Sequence, residues 1–348
     1  MNVVLSPRLS ALVWQLASKT EARKNALRHG HEVKALNSIS PNIPTATTLL
    51  STLQPATELA LEPPSYSERE LLETLRAFGL EGHAAVTAFR PSLRRTNGDV
   101  PCSLVSIPVD ELALAKLTDG VFVLPPAACL VYAAQSLDLI QLILLGSELC
   151  SPFVRDPLIS IGFETRPALL SLQDIQSLIE AAPGIRGIQA LKKARPWIVP
   201  GSESPRESCL ALSLLLPRIW GGYHLAGMEA NYPISLGPQA SKVYEYDSCR
   251  GDIVFPCVKL VLEYDSDLFH SGNASRHKDS RRAAALAIEG YEVISVTSAQ
   301  VGSVQQMDGL AQLVSQRTGC SLRTRVTDYA KKKAQLQQSL LRRRDWYF

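Results

Sequence analysis

The chain's 348 residues exceed the roughly 100–200 of an average domain, so two structural units are expected. A hydrophobic share of 46% against 20% charged excludes wholesale disorder, and the longest apolar stretch, 121–145, is broken by Pro125, Pro126, Gln135 and Asp138, which excludes a helical membrane span. Arg8, Lys19, Arg23 and Lys24 interrupt the start too early for a signal peptide, which makes the cytoplasm the default; seven scattered cysteines are expected as reduced thiols, and the net charge of +3 says little alone.

Ser6-Pro7 can open a helix as N-cap and first residue. Leu9, Leu12, Val13 and Leu16 then share a face before Arg28-His29-Gly30-His31 ends it. That face is expected to dock on another surface, which leaves a protein partner or a second copy of the chain open. Residues 38–65, rich in Pro, Ser and Thr, are expected to form a linker or a loosely packed crossing segment with little regular structure. Ser67 and Glu70 have the spacing of a capping box opening a helix through residue 80. Strands are expected over 84–89, 102–107 and 120–124, a helix over 127–137, and a short helix begun by Ser171 and Asp174 and stopped by Pro183-Gly184. Residues 1–200 thus read as a mixed α/β region, with a boundary at 200–203.

The second half alternates more clearly. A helix is expected over 205–215, then strands over 243–246, 252–255 and 258–265, a helix over 277–289 capped by Gly290, and a strand over 291–297 that must return by a crossover. The order is α-β-β-β-α-β across 201–318, followed by a basic helix in 319–348. That last stretch carries Arg323, Arg325, Lys331, Lys332, Lys333, Arg342, Arg343 and Arg344 against Asp328 and Asp345. Lys331, Lys332, Lys333 and Arg342, Arg343, Arg344 are candidates for phosphate contacts; a solvated helix face is the alternative.

The two-residue strand period places Lys259, Val261, Glu263 and Asp265 on one face of the 258–265 strand, with Val258, Leu260, Leu262 and Tyr264 on the other. Buried carboxylates are costly unless a cation or a paired network compensates them. Asp252, opening the neighbouring strand after Gly251, can converge on Glu263. Together they offer the hard oxygen ligands that Mg2+, or Mn2+, prefers, and such an ion suits phosphodiester chemistry.

The run Ser204-Pro205-Arg206-Glu207-Ser208, then Gly251-Asp252-Ile253-Val254-Phe255-Pro256, then Lys259-Leu260-Val261-Leu262-Glu263-Tyr264-Asp265, then Asp279, Arg282, Leu286 and Gly290 ahead of Tyr291-Glu292-Val293-Ile294, resembles the very-short-patch-repair-like endonuclease branch of the PD-(D/E)XK superfamily. The resemblance covers about residues 202–301. It implies a restriction-endonuclease-like α-β-β-β-α-β core, metal-binding acids at Asp252 and Glu263, assistance from Glu207, and Asp265 in the position of the usual lysine. Ser266 stands where a glycine usually follows, and the loop carrying His270 differs in spacing. Lys259, His270, Asp279 and Arg282 are further candidates for the site. The arrangement of a mixed N-terminal region leading into such a domain is similar to abortive-infection antitoxin-type regulators.

Simpler roles stand beside these. Glu207, three residues after Ser204, fits an ordinary capping box; Asp252 could finish a turn; Glu263 could pair with Lys259; Asp279 and Arg282, at i and i+3, could form a surface ion pair. Two functions follow: a metal-dependent endonuclease acting on DNA in defence or repair, or a nucleic-acid-binding, antitoxin-like repressor with a degenerate nuclease fold. Convergence of Asp252, Glu263 and Asp265 around a cleft separates them.

Overall fold

Ser6 and Pro7 open the first helix as their order predicts. After strand β1 (Val3–Leu5), helix α1 spans Pro7–Arg28, and the Ser6 hydroxyl accepts the Leu9 N–H at 3.3 Å. The computed structural model describes residues 1–28, 43–56, 63–80, 84–94, 99–107, 112–155, 162–265 and 273–341. Next come α2 (Ala46–Ser51), β2 (Leu53–Pro55), α3 (Glu68–Ala77), β3 (Val86–Ala88), β4 (Cys102–Leu104), β5 (Ala113–Thr118) and β6 (Val121–Val123). They build a six-stranded mixed sheet in the order β2-β5-β6-β1-β3-β4. α1 is pinned to it by polar contacts as well as by burial. The Trp14 indole donates to the Leu124 carbonyl at 2.7 Å, and the Ser10 hydroxyl donates to Leu5 O at 3.1 Å while accepting the Leu124 N–H at 3.0 Å.

The 38–65 segment is not a linker where it is described. Thr45 caps α2, β2 pairs with β5 as an edge strand, and Ile43, Ala46, Leu49 and Ala56 are buried. Its prolines suit an edge strand and a helix start as well as a linker, so composition alone misreads it. Residues 29–42 and 57–62 lie outside the described residues.

Four helices and a hairpin join the halves: α4 (Pro126–Ala133), α5 (Leu139–Leu149), β7 (Phe153–Arg155) paired antiparallel with β8 (Phe163–Thr165), α6 (Leu172–Ala181) and α7 (Ile188–Ala194). α6 carries the expected capping box, with Ser171 and Asp174 exchanging side-chain and backbone bonds at 3.1 and 2.7 Å. The hydrophobic core crosses the expected boundary at residue 200. One continuous cluster runs from Phe122 and Leu142 through Leu210, Leu212 and Leu214 to Phe255, Leu262, Leu336 and Leu340.

Beyond the boundary the elements are α8 (Pro205–Leu215), β9 (Glu229–Ser235), α9 (Pro238–Tyr244), β10 (Ser248–Phe255), β11 (Leu260–Asp265), α10 (Asn273–Ile288), β12 (Glu292–Thr297), α11 (Ser298–Val301), α12 (Val304–Thr318) and α13 (Tyr329–Leu341). The sheet order is β12-β11-β10-β9; β9, β10 and β11 are antiparallel neighbours, and β12 returns parallel to β11 after the α10 crossover. The protein is therefore mixed α/β throughout. The strand expected over 243–246 is instead the last two residues of α9, its left-handed cap at Glu245 and the bend that follows. Pro238 starts that helix after Gly237, and Ala240 and Tyr244, one turn apart, bury one face. The first strand of the meander is β9, upstream of it.

The two faces of this sheet have different partners. Ile253, Phe255, Leu260 and Leu262 join the shared core, whereas Val254 and Val261 pack with Ile234, Ala285 and Leu286. Among the described residues no helix is long and apolar enough to cross a membrane. All seven cysteines are unpaired thiols, with Cys257 exposed and Cys320 partly so.

Candidate acidic site at the β10–β11 fork

β10 and β11 form ladder pairs at Ile253 with Leu262, Val254 with Val261 and Phe255 with Leu260; there the ladder stops. One step further the same register sets Asp252 opposite Glu263. Instead of continuing the ladder, the Asp252 side chain accepts the backbone N–H of Tyr264 through Oδ2 at 2.7 Å. β11 stays paired with β12 as far as Asp265 and Thr297, so β10 and β11 part at the two acids. A fork of this kind leaves polar side chains to take over bonds that the backbone gives up.

Glu207 arrives from the other side, on the first turn of α8. Ser204 caps that helix, its hydroxyl accepting the Glu207 N–H at 3.2 Å, and the Glu207 carboxylate accepts the Glu203 N–H at 2.7 Å. The side chain therefore bonds outside the helix to residue 203, one position before the cap, and not back to the cap residue as a capping box requires. Glu207 is also buried, which helix capping does not demand.

The electrostatics tie the three acids together. Burial first, and then the charge of Asp252, pushes the Glu207 carboxyl up to about 8; the same two causes, in the same order, raise Glu263 to about 8. Asp252 is raised too, chiefly by burial, against the bond from Tyr264 and the charge of Arg282. Both glutamates feel the charge of Asp252, so three desolvated carboxyls gather where positive charge is scarce.

The positive charge present is Arg282. From α10 it donates to Glu263 Oε1 at 2.7 Å and to the Arg250 carbonyl, so it bridges β10 and β11 at the fork. It thus makes contacts across elements and not only along its own helix. Asp279 is exposed on the same helix and adds a smaller negative influence on Glu263.

The remaining sequence candidates are distributed as follows. Lys259 is not on the strand: it has φ 51°, after a 3-10 turn at Pro256–Val258, and β11 begins at Leu260. Its amine donates to the Glu289 carbonyl at 2.8 Å and lies over the Tyr291 ring, so it satisfies the C-terminus of α10 at the far end of β11 from Glu263. The turn that Pro256 begins puts the start of the strand two residues after the expected one at Val258, which strand periodicity alone does not register. Asp265 ends β11, half-buried, opposite Thr297. His270 lies outside the described residues, as do Arg342, Arg343 and Arg344.

The three lysines of α13 differ from one another. Lys331 is exposed; Lys332 donates to the Ile219 carbonyl at 3.1 Å; Lys333 bonds Asp308 between the rings of Tyr223 and Tyr329. Tyr223 donates to the same Asp308 oxygen at 2.7 Å, which makes Lys333 a structural cation.

Sequence reading missed the Tyr264 and Glu203 backbone donors and gave Arg282 no definite partner. Backbone donors carry no residue signature. Arg282 carried one, since it faces β11 from the same helix surface that buries Leu286.

The implied divalent ion suits this donor set in kind: carboxylate oxygens from Asp252 and Glu263 on facing strand positions, with Glu207 beside them, are the hard ligands Mg2+ takes. No group of three or more His, Cys, Asp or Glu side chains that could hold a metal ion stands together among the described residues. No protein-family model, curated protein or solved structure matches the chain.

Proposed function

We propose that residues 201–318 form a metal-dependent endonuclease domain of the PD-(D/E)XK kind, acting on DNA. The observation that carries this reading is the fork: two antiparallel strands part where Asp252 and Glu263 face each other, and Glu207 is held against them with its proton affinity raised. The α-β-β-β-α-β order, with β12 returning parallel beside β11, supports a restriction-endonuclease-like core. Asp252 and Glu263 would hold Mg2+ or Mn2+, which supplies a hydroxide nucleophile and charge neutralisation at the scissile phosphate. Glu207, with its raised proton affinity, is suited to exchange a proton with water at neutral pH. Arg282 and the exposed Lys331, Arg323 and Arg325 supply positive charge for the nucleic acid.

The test is incubation of the protein with single-stranded, duplex and mismatched DNA in Mg2+ and in Mn2+. Asp252→Asn and Glu263→Gln, both nearly isosteric, are expected to lower cleavage at least a hundredfold while leaving fold and DNA affinity intact. Cleavage surviving in both variants overturns the assignment.

A second reading has one observation in its favour. Arg282 already neutralises Glu263, as a domain that binds DNA without cutting it would permit. Tight DNA binding by the wild type, with no cleavage under any metal or substrate form, selects that antitoxin-like, regulatory role.

A further inference from the structure

Arg282 occupies a distinctive place. Its guanidinium spans the fork, bonded to Glu263 on β11 and to the Arg250 carbonyl on β10, with 24% of its side chain exposed against 17% for Glu263. The other acidic influences on Glu263 are Asp252 and Asp279, so Arg282 is the cation that offsets them. A guanidinium bound to a carboxylate oxygen holds the lone pairs that a divalent ion needs. Both cations answer the same deficit of charge, and one carboxylate oxygen does not serve both at full strength.

We propose that Arg282 is a built-in competitor for the metal site: it clamps Glu263 across the fork in the absence of a divalent ion and is displaced from Glu263 when one binds. The inference rests on the metal-dependent reading and adds a regulatory element to it. Ion binding then carries a mechanical consequence, because release of the guanidinium removes one of the two side-chain ties between β10 and β11 where their ladder has already ended, the bond from Tyr264 N–H to Asp252 being the other. The freed guanidinium, tethered on α10 beside the acids, becomes available to an anionic ligand such as a DNA phosphate. Lys259, held at the C-terminus of α10, is not placed for that role.

The experiment is a titration of the full chain with Mn2+, followed by calorimetry and by loss of the free-ion electron paramagnetic resonance signal. Four proteins are compared: wild type, Arg282→Gln, Arg282→Lys and Glu263→Gln. Competition predicts that Arg282→Gln binds Mn2+ about tenfold more tightly than wild type, that Arg282→Lys returns affinity toward wild type because the charge is kept, and that Glu263→Gln loses most binding. The lysine variant keeps the cation beside the acids, so it remains informative if the glutamine variant fails to fold: affinity at or moderately above wild type supports competition, and weaker binding overturns it. Affinity unchanged or weakened in Arg282→Gln overturns the proposal and makes Arg282 a positioning residue for the acids. Absence of Mn2+ binding in every protein overturns it as well. Metal binding without DNA cleavage sinks the nuclease reading and leaves the competition standing, so the two failures are distinguishable.

Discussion

Replacing Glu207 by glutamine should stabilise the protein, and only on the alkaline side. Burial and Asp252 raise this carboxyl from an ordinary value of 4.5 to about 8 in the fold. A raised acid holds its proton more tightly folded than unfolded. Its penalty is therefore absent below about 4.5, grows through the window from 4.5 to about 8, and is constant above. At about 1.4 kcal/mol per pH unit, the ceiling at neutral pH is about 3 kcal/mol, reduced by relaxation and by the repulsion it shares with Asp252. Glutamine has the same shape and can still accept the Glu203 N–H through its amide oxygen, so the ionisation is the main thing removed. The expected result is equal urea midpoints for wild type and Glu207→Gln near pH 4, and a variant more stable by about 1–3 kcal/mol near pH 8. A chelator must be present, because a divalent ion would supply the missing charge. A variant no more stable than wild type at the higher pH would refute the account. So would a penalty that grows toward acid.

Two further outcomes follow from the packing. Lys259→Met should leave DNA cleavage and Mn2+ affinity within about twofold of wild type while lowering stability by about 0.5–1 kcal/mol, because its amine serves the end of α10; equilibrium unfolding beside a cleavage assay checks both. Gly221→Ala should cost about 2 kcal/mol or more, since Gly221 has φ 96° and an added Cβ would lie 2.3 Å from the Lys332 carbonyl; a thermal midpoint equal to wild type counts against the described seating of α13.

The parts of the site that strand periodicity governs were legible in the sequence. Asp252 and Glu263 lie on strands because each sits in a run of alternating or continuous apolar residues, and their register follows from the short turn between β10 and β11. The end of α10 was legible for a different reason: Gly290, at φ 82°, adopts the left-handed conformation expected of a helix-capping glycine. Misreadings arose where tertiary packing outweighs local pattern. Val243, Tyr244, Glu245 and Tyr246 alternate like a strand, yet the helix that Gly237-Pro238 starts runs on to Tyr244 and is closed by Glu245 at φ 68°, and Ala240 and Tyr244 are buried at helical spacing. Lys259 read as part of the strand because the two-residue period extends back to Val258, whereas the turn that Pro256 begins continues through the left-handed Lys259 and β11 starts only at Leu260. The Ser, Thr and Pro content of 38–65 pointed to a linker, whereas three residues of it close the edge of a sheet. The role of Glu207 depends on Glu203, Asp252 and the shared core around α8, none of which a capping-box spacing reveals.

The seating of α13 changes how the basic tail can be studied. Leu336 and Leu340 are buried, the Leu340 carbonyl accepts from the Cys209 thiol on α8, and Lys333 is locked between two tyrosines. The helix that delivers Glu207 to the fork thus rests partly on the chain's last described helix. Truncation at residue 323 would remove charge and scaffold together, and a lost affinity for DNA would report both. Charge reversal at Arg323, Arg325 and Lys331, whose side chains face solvent, separates them: it alters the ionic-strength dependence of binding and leaves the support of α8 in place.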